Sequence, residues 1–348
     1  MTQLERFRAF LAREEMDRPL RYSRYTPAMF DRLKEHLGGE EPDERLRPDT
    51  GAHVSLRPPE GYEPPDFGAW YDDEVDPDQI DSIGVWRRRG TFYHFTHRES
   101  PLREAQLLEE IEAFPIETQD GWREDHMADA VKAHHRNGLY VMMGAGHIYE
   151  DSWQIRGYEQ FLTDLLTQPE WAESILERIT RRNINRAEAA ARAGVDMLQS
   201  GDDIANQQTM MFNPDLWRRV LKSRWERVYR AARRINPDIA IWYHSDGNIT
   251  EVIEDLIEIG VTVLNPLQPE CIDVEEVCRR YGDRLLFDGA IGTQSTFPWG
   301  TPEEMRRTVR RRREVFGGRL MLSPTHVLEP EVPPENVVAF YEACDRPF

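Results

Sequence analysis

Cysteine and lysine are scarce in this chain, and long apolar runs are missing. The three cysteines, Cys271, Cys278 and Cys344, form no C-x-x-C pair, which excludes a disulfide framework and a zinc finger. No stretch approaches the ~18 apolar residues of a membrane span, and the opening MTQLERFRAF has no apolar signal-peptide core. A soluble, cytoplasmic protein is the expectation. Neither G-x-G-x-x-G nor G-x-x-x-x-G-K-[ST] occurs, so the common nucleotide-binding loops are excluded. Positive charge is also in deficit: 44 basic residues face 63 acidic ones, a formal charge of −19. Such a surface repels nucleic-acid backbone and anionic lipid. Only Lys34, Lys132 and Lys222 are lysines; the other basic residues are arginine. That bias points to a GC-rich genome and, with the acidity, a salt-tolerant host.

What is present suits a large packed core: 348 residues, 39% hydrophobic, with nine Trp, twelve Tyr and fourteen Phe. The length exceeds a usual domain but fits one large α/β barrel. Up to about residue 135 the pattern is irregular. Short helices are predicted over Leu4–Arg13, Pro27–Leu37 and Pro101–Glu112, around a stretch from Gly38 to Pro77 rich in Pro, Gly and acids. This composition reads as covering structure. From residue 139, short apolar runs alternate with amphipathic helices: Leu139–Met143, Asp196–Gln199, Ile239–Tyr243, Val261–Leu264, Leu285–Phe287 and Arg319–Leu322. Gly194, Gly260, Gly282 and Gly317 stand where helices end before strands, as left-handed caps require. Asn213-Pro214, Thr301 with Glu304, and Asp273 with Glu276 mark helix starts. Strand–helix alternation at this spacing implies parallel pairing through right-handed crossovers. The expected fold is α/β, a (β/α)8 TIM-type barrel with N-terminal helical and irregular covering segments. It would form a single domain over 1–348, with regular βα units from 136. A doubly wound open sheet is the competitor.

Barrel enzymes carry their chemistry in the loops after the strands, and here each such position is polar. In order they present His147 and Glu150; Asp202, Asp203 and Gln207; His244 and Asp246; Gln268, Glu270 and Cys271; Asp288; and His326. His244 and Asp246, two apart at a strand end, can face the same way. With His326 they make a His/Asp/His set suited to zinc or another borderline divalent cation. The same residues also suit hydrogen-bonded structure, since Asp246-Gly247-Asn248 is good turn chemistry. Consecutive acids face opposite ways in a strand, so one of Asp202 and Asp203 would handle protons while the other caps a neighbouring element or pairs with an arginine. His147, Gln207, Gln268, Glu270 and Asp288 are candidates for orienting a small-molecule substrate. Arg310–Arg313 and His134-His135 read as solvated helix surface, and Cys271 as a small, partly buried residue.

At these residues the chain resembles the uroporphyrinogen decarboxylase superfamily. The resemblance lies in GDDIANQ at 201–207, YHSDGN at 243–248, IEIGVTVLNPLQPE at 257–270 and SPTHVLEPEVPPEN at 323–336, with Gly84-Val85-Trp86 and Ser100-Pro101-Leu102 upstream. It implies a (β/α)8 barrel with a cleft at the strand C-terminal ends, and a homodimer. The decarboxylases of this superfamily use no metal, gripping substrate carboxylates with an N-terminal R-Q-A-G-R-Y and holding pyrroles with an F-S-D-I aspartate. Here the nearest N-terminal match is RPLRYSRY at 18–25, and F-S-D-I is missing. The other branch is similar to corrinoid-dependent methyltransferases, zinc enzymes with H-x-C and a distant third ligand. On that resemblance His244 matches the histidine, Asp246 stands in the cysteine's place and His326 takes the third position, a harder site suited to oxygen donors. The expectation is a metal-dependent methyltransferase or demethylase acting on a small molecule, with a corrinoid protein as partner. The alternatives are a cofactor-free lyase that decarboxylates a carboxylated aromatic or tetrapyrrole, with Arg21 and Arg24 in the cleft, and a non-catalytic corrinoid- or ligand-binding protein.

Overall fold

A computed structural model describes residues 1–72, 75–90 and 96–345. In chain order the strands are β1 (Ala52–His53), β2 (Trp86–Arg89), β3 (Thr96–Glu99), β4 (Val141–Gly146), β5 (Met197–Gly201), β6 (Ala240–His244), β7 (Val263–Leu267), β8 (Leu286–Ile291) and β9 (Leu320–Pro324). β2 and β3 form a separate antiparallel pair, and the other seven make one parallel sheet in the order β1-β4-β5-β6-β7-β8-β9. Strand order that never reverses excludes the doubly wound sheet, which turns back at a switch point. Leu20–Tyr25 then runs along the open edge of β9, with parallel bridges from Arg21 to Leu322 and from Tyr25 to Leu328. On its far side the Arg21 carbonyl accepts from Asp49 N at 2.7 Å, three residues before β1. The extended N-terminal segment thus takes the eighth place of a TIM-type barrel.

Alternation along each strand sorts the core in two. Residues facing outward pack under the helices. Inward-facing Met142, Met197, Ala240, Val263, Leu286 and Met321 form a second cluster with Leu4, Phe7 and Phe10 of the first helix, Gln3–Ala12. That helix starts at a capping box between Thr2 and Glu5. It plugs the N-terminal mouth of the barrel, with Phe7 stacked on Tyr140 at 4.3 Å between ring centroids. Chemistry is left to the opposite mouth.

The plug is tied down by ionic contacts. Buried Asp49 accepts from Arg6 Nη1 at 2.8 Å, from Arg18 Nη1, and from Arg21 N at 3.1 Å. Asp49→Ala is expected to lower the unfolding free energy by ~3–5 kcal/mol, because two cations lose a shared partner in a site closed to water. Urea denaturation measures it; a loss below ~1 kcal/mol would reduce the cluster to a surface bridge.

The structure corrects several sequence expectations. Every predicted strand of the regular part starts one or two residues later and ends one to four residues later, because the strands run on into the residues that line the mouth. The helix expected over Pro101–Glu112 forms only at Leu108–Ala113, since Glu110 accepts from the amides of Gln106 at 2.7 Å and Leu107 at 2.9 Å and stops it there. Gly282 is not left-handed, at φ −68°; it is needed because a Cβ would sit 2.4 Å from the Cys278 carbonyl oxygen. His135 is no free surface group, binding Asp196 Oδ2 at 2.7 Å. Of the arginine run, Arg312 donates to Ala290 O and buried Arg313 to Ala343 O, both at 3.0 Å. No described helix is long and apolar enough to cross a membrane.

Candidate functional site

The strand C-terminal ends open into a cavity of about 460 Å³. β6 delivers His244 and then Asp246; the turn after β5 delivers Asp203; β7 supplies Asn265. Gly201 ends β5 at φ +151°, and a Cβ there would lie 2.2 Å from the His244 carbonyl oxygen. Only glycine lets the two strand ends close up at this point. His244 Nδ1 pairs with Asn265 Oδ1 at 2.7 Å, which leaves Nε2 pointing toward Asp203 Oδ1 at 3.4 Å. Its ring stacks on that of Trp242, with 5.7 Å between centroids. Asp246 donates its backbone N–H to Asp203 Oδ1 at 2.9 Å, while its own Oδ1 is buried with no hydrogen-bond partner among the described residues. Burial raises the Asp246 carboxyl pKa; His244 lowers it, Asp203 raises it and His326 lowers it.

Asp203, His244 and Asp246 each offer an atom within 4.8 Å of the others. Two donors each ~2.0–2.1 Å from a tetrahedral zinc stand about 3.3 Å apart, close to the 3.4 Å between His244 Nε2 and Asp203 Oδ1. A fixed imidazole tautomer, an orphaned carboxylate oxygen and a second carboxylate fit a divalent cation with oxygen-rich coordination. This group shares His244 and Asp246 with the expected ligand set. His326 is exposed and lines the same cavity, but it lies outside the three-residue group, which Asp203 completes.

The two consecutive acids separate sharply. Asp203 lines the cavity. Asp202 is fully buried behind it: Oδ1 accepts from Ile148 N at 2.9 Å and Glu150 N at 3.1 Å, and Oδ2 from Trp225 Nε1 at 2.9 Å. Burial pushes its pKa up to about 8 against the pull of His147 and these donors. Both Asp202 oxygens are committed to starting the helix Tyr149–Arg156 and holding Trp225, so of the two acids Asp203 is the one that faces the cavity. His147 Nδ1 is shared between Gly201 O at 2.7 Å and Glu150 Oε2 at 3.0 Å. That leaves Nε2 for the cavity.

Burial pulls the His147 imidazolium down, but Glu150, then Asp151 and Asp202, raise it to about 10. A folded-state pKa above the unfolded value of ~6.5 stabilises the fold most below pH ~6.5, and the contribution is lost as pH rises toward 10. The difference in Tm between the wild type and His147→Gln is therefore expected to be widest near pH ~6 and to close toward pH ~10. Thermal melts across that range test it; a difference that grows with pH would contradict the assignment.

The other expected substrate contacts stand further out or deeper. Asp288 is buried beneath the cavity, accepting from Tyr22 Oη at 2.8 Å, Trp242 Nε1 at 2.9 Å and Ser323 Oγ at 2.8 Å. It positions Trp242 and Tyr22. Gln207 is exposed at the rim, bonded to Gln294 at 2.6 Å. Gln268 accepts from Gly247 N at 2.6 Å and from the Cys271 thiol at 3.5 Å, and faces an outer vestibule that shares Asp246 and His326 with the cavity. Glu270 ties down the loop after β8 through Ser295 Oγ and Gln294 N. Sequence reasoning missed Gln199, Trp242 and Asn265 as lining residues. The first two follow from period-two counting: Met197-Gln199-Gly201 and Ala240-Trp242-His244 share the inward face.

Comparison with known proteins bears on the whole of this mouth. The uroporphyrinogen decarboxylase family matches residues 102–347. The chain belongs to the uroporphyrinogen decarboxylase family. The matched region holds every strand from β4 onward and all the predicted site residues, but not Tyr22 or Arg24. Among solved structures, a methyltransferase from Methanosarcina mazei is similar at 18% identity and TM-score 0.68, over 99% of this chain and 98% of that one. A B12-independent methionine synthase from Shewanella sp. W3-18-1 is similar at 13% identity and TM-score 0.40, over 63% of this chain and 66% of that one. No curated protein matches. The decarboxylase branch expected Arg21 and Arg24 in the cleft. Arg24 does line this family member's cavity, whereas Arg21 is turned away onto Asp345 at 2.7 Å.

Proposed function

We propose that this chain is a metal-dependent methyltransferase or demethylase of a small molecule, exchanging the methyl group with a corrinoid-bearing partner protein. The carrying observation is the convergence of Asp203, His244 and Asp246 at the mouth, with the buried Oδ1 of Asp246 left without a partner. The full-length similarity to a methyltransferase supports the same branch.

Asp203, His244 and Asp246 would hold the cation, with zinc the first choice, and bound there it supplies a Lewis acid that makes an oxygen or sulfur group of the substrate a better nucleophile. The chain's own groups do the rest. Asn265 fixes the tautomer of His244. His147, charged and held by Glu150 and Gly201 O, keeps a proton at Nε2 toward the cavity. Trp242 forms a flat wall, and Arg24 offers a cation without an acceptor among the described residues.

The test is elemental analysis of the purified protein, followed by methyl transfer between methylcobalamin and thiol or methoxylated small molecules before and after chelation. One bound divalent metal and chelation-sensitive transfer are expected. Protein without metal affinity would remove the reading. A second reading, a cofactor-free lyase, is favoured specifically by Arg24 in the cleft. It predicts CO2 release from a carboxylated substrate that survives chelation and is lost in Arg24→Gln.

A further inference from the structure

A second, partly open cavity of about 380 Å³ lies outside the barrel, between the N-terminal covering segment and the long helix Pro169–Ala193. That volume is within the range of small-molecule pockets. Its walls are mainly apolar, including Phe67, Ile83, Ile116, Tyr62 and Trp122, with the Tyr62 and Trp122 rings edge to face at 5.6 Å.

Arg182 and Arg186 line the same cavity. Arg182 is neutralised by Asp151. Arg186 has no carboxylate partner among the described residues. Its Nε donates to Gln119 Oε1 at 2.7 Å and its Nη1 to Ala145 O at 3.4 Å, and no described acceptor takes Nη2. Burial and the neighbouring Arg182 pull its guanidinium down to about 10, as an uncompensated cation should be. Gln119, which steers it, is a non-glycine residue at φ +60°, a conformation that needs a reason.

Of the acids that line the cavity, Asp81 is ion-paired with Arg87, while Asp66 and Glu117 keep their charge and accept from backbone N–H groups. Asp66 accepts from Gly68 N at 3.0 Å. Asp81 accepts from Ile83 N and Val85 N, both at 3.0 Å, and from Arg87. Glu117 accepts from Gln119 N at 2.8 Å. The indole N–H of Trp122 has no described acceptor. An apolar slot with two unmatched donors, one of them charged, is complementary to an anion on a flat hydrophobic body.

We infer that this cavity is a second binding site, separate from the barrel mouth, for a small carboxylate with an aromatic or apolar body. The carboxylate lies on Arg186 Nη2 and the body packs against Trp122. The site backs directly onto the catalytic cleft. Gly146, at φ +107°, comes so near that a Cβ would stand 2.9 Å from Arg186 Nη1, and Asn183 Nδ2 holds the His147 carbonyl at 3.2 Å.

Isothermal titration of the full chain with phenylacetate and its neutral isostere phenylacetamide decides the matter. Phenylacetate is expected to bind one to one with a Kd below ~1 mM. Phenylacetamide should bind at least ~10-fold more weakly, and Arg186→Gln and Trp122→Ala should each weaken phenylacetate by at least ~10-fold. Arg24→Gln, in the barrel mouth, should leave phenylacetate binding unchanged. The inference is overturned if the amide binds equally well, if phenylacetate does not bind, or if only Arg24→Gln abolishes binding. Should Arg186→Gln fail to fold, Trp122→Ala and the amide comparison suffice.

Discussion

His244→Ala is expected to weaken divalent-metal binding by about 100-fold or more while leaving the apo protein as stable as the wild type to within ~1 kcal/mol. The magnitude follows from ligand arithmetic: a zinc site binds with ~10–16 kcal/mol over four ligands, so one imidazole is worth ~3 kcal/mol, and each 1.4 kcal/mol is about tenfold. Asp203→Ala and Asp246→Ala should act alike, because the three side chains contribute equivalent atoms to one group. His326→Ala should cost less than ~10-fold, since His326 lies outside that group. Competition with a chromophoric chelator reads all four variants. If His326→Ala matched His244→Ala in loss and Asp203→Ala had no effect, the ligands would be His244, Asp246 and His326, as the sequence alone suggests. Stability of the apo variants separates the two meanings of a loss: a ligand removed from a half-exposed mouth costs affinity, whereas a broken scaffold costs both.

The barrel is legible in the sequence because its signals are local and repeated. Apolar runs four or five residues long, glycine at helix ends and capping boxes such as Thr301 with Glu304 each report on a few neighbours. Closure was not legible. It depends on Leu20–Tyr25, which carries no apolar run, bridges to residues about three hundred positions away and meets the β1 side through the backbone bond from Asp49 N. The site divides in the same manner. Strand-end residues announced the mouth, and His244, Asp246 and Asp203 do face it. Which of Asp202 and Asp203 faces inward depends on how far β5 twists before Gly201, and a string of letters does not carry that angle. The rim residues Gln207 and Glu270 look like substrate contacts because they are polar and follow strands. In three dimensions Gln207 bonds Gln294 and Glu270 Oε1 holds the loop after β8, while Glu270 Oε2 is buried without a described partner.

Asp202→Ala is expected to destabilise the fold by ~3–5 kcal/mol, far more than Asp203→Ala at under ~1 kcal/mol. Removing the Asp202 carboxylate strands the amides of Ile148 and Glu150 and the indole N–H of Trp225. Each buried donor left unsatisfied costs ~1–3 kcal/mol. The sum is not realised in full, because the substitution also removes a carboxylate whose burial is itself unfavourable, as its raised pKa of about 8 records. The three donors also share one neighbourhood, so their costs overlap. Asp202→Asn should fall between, since an amide keeps one acceptor oxygen but turns an NH2 group toward remaining donors. Denaturant titration of the three variants, with metal affinity measured on each, gives a pattern that no generic active-site acid produces. Asp202 variants should lose stability first and metal binding only as a consequence, and Asp203→Ala should lose metal binding alone. The reverse order would mean that the inner acid does the chemistry and the outer one holds the strand, and the site would have to be rebuilt around Asp202, His147 and Glu150, the other set of donors that converge within 4.8 Å.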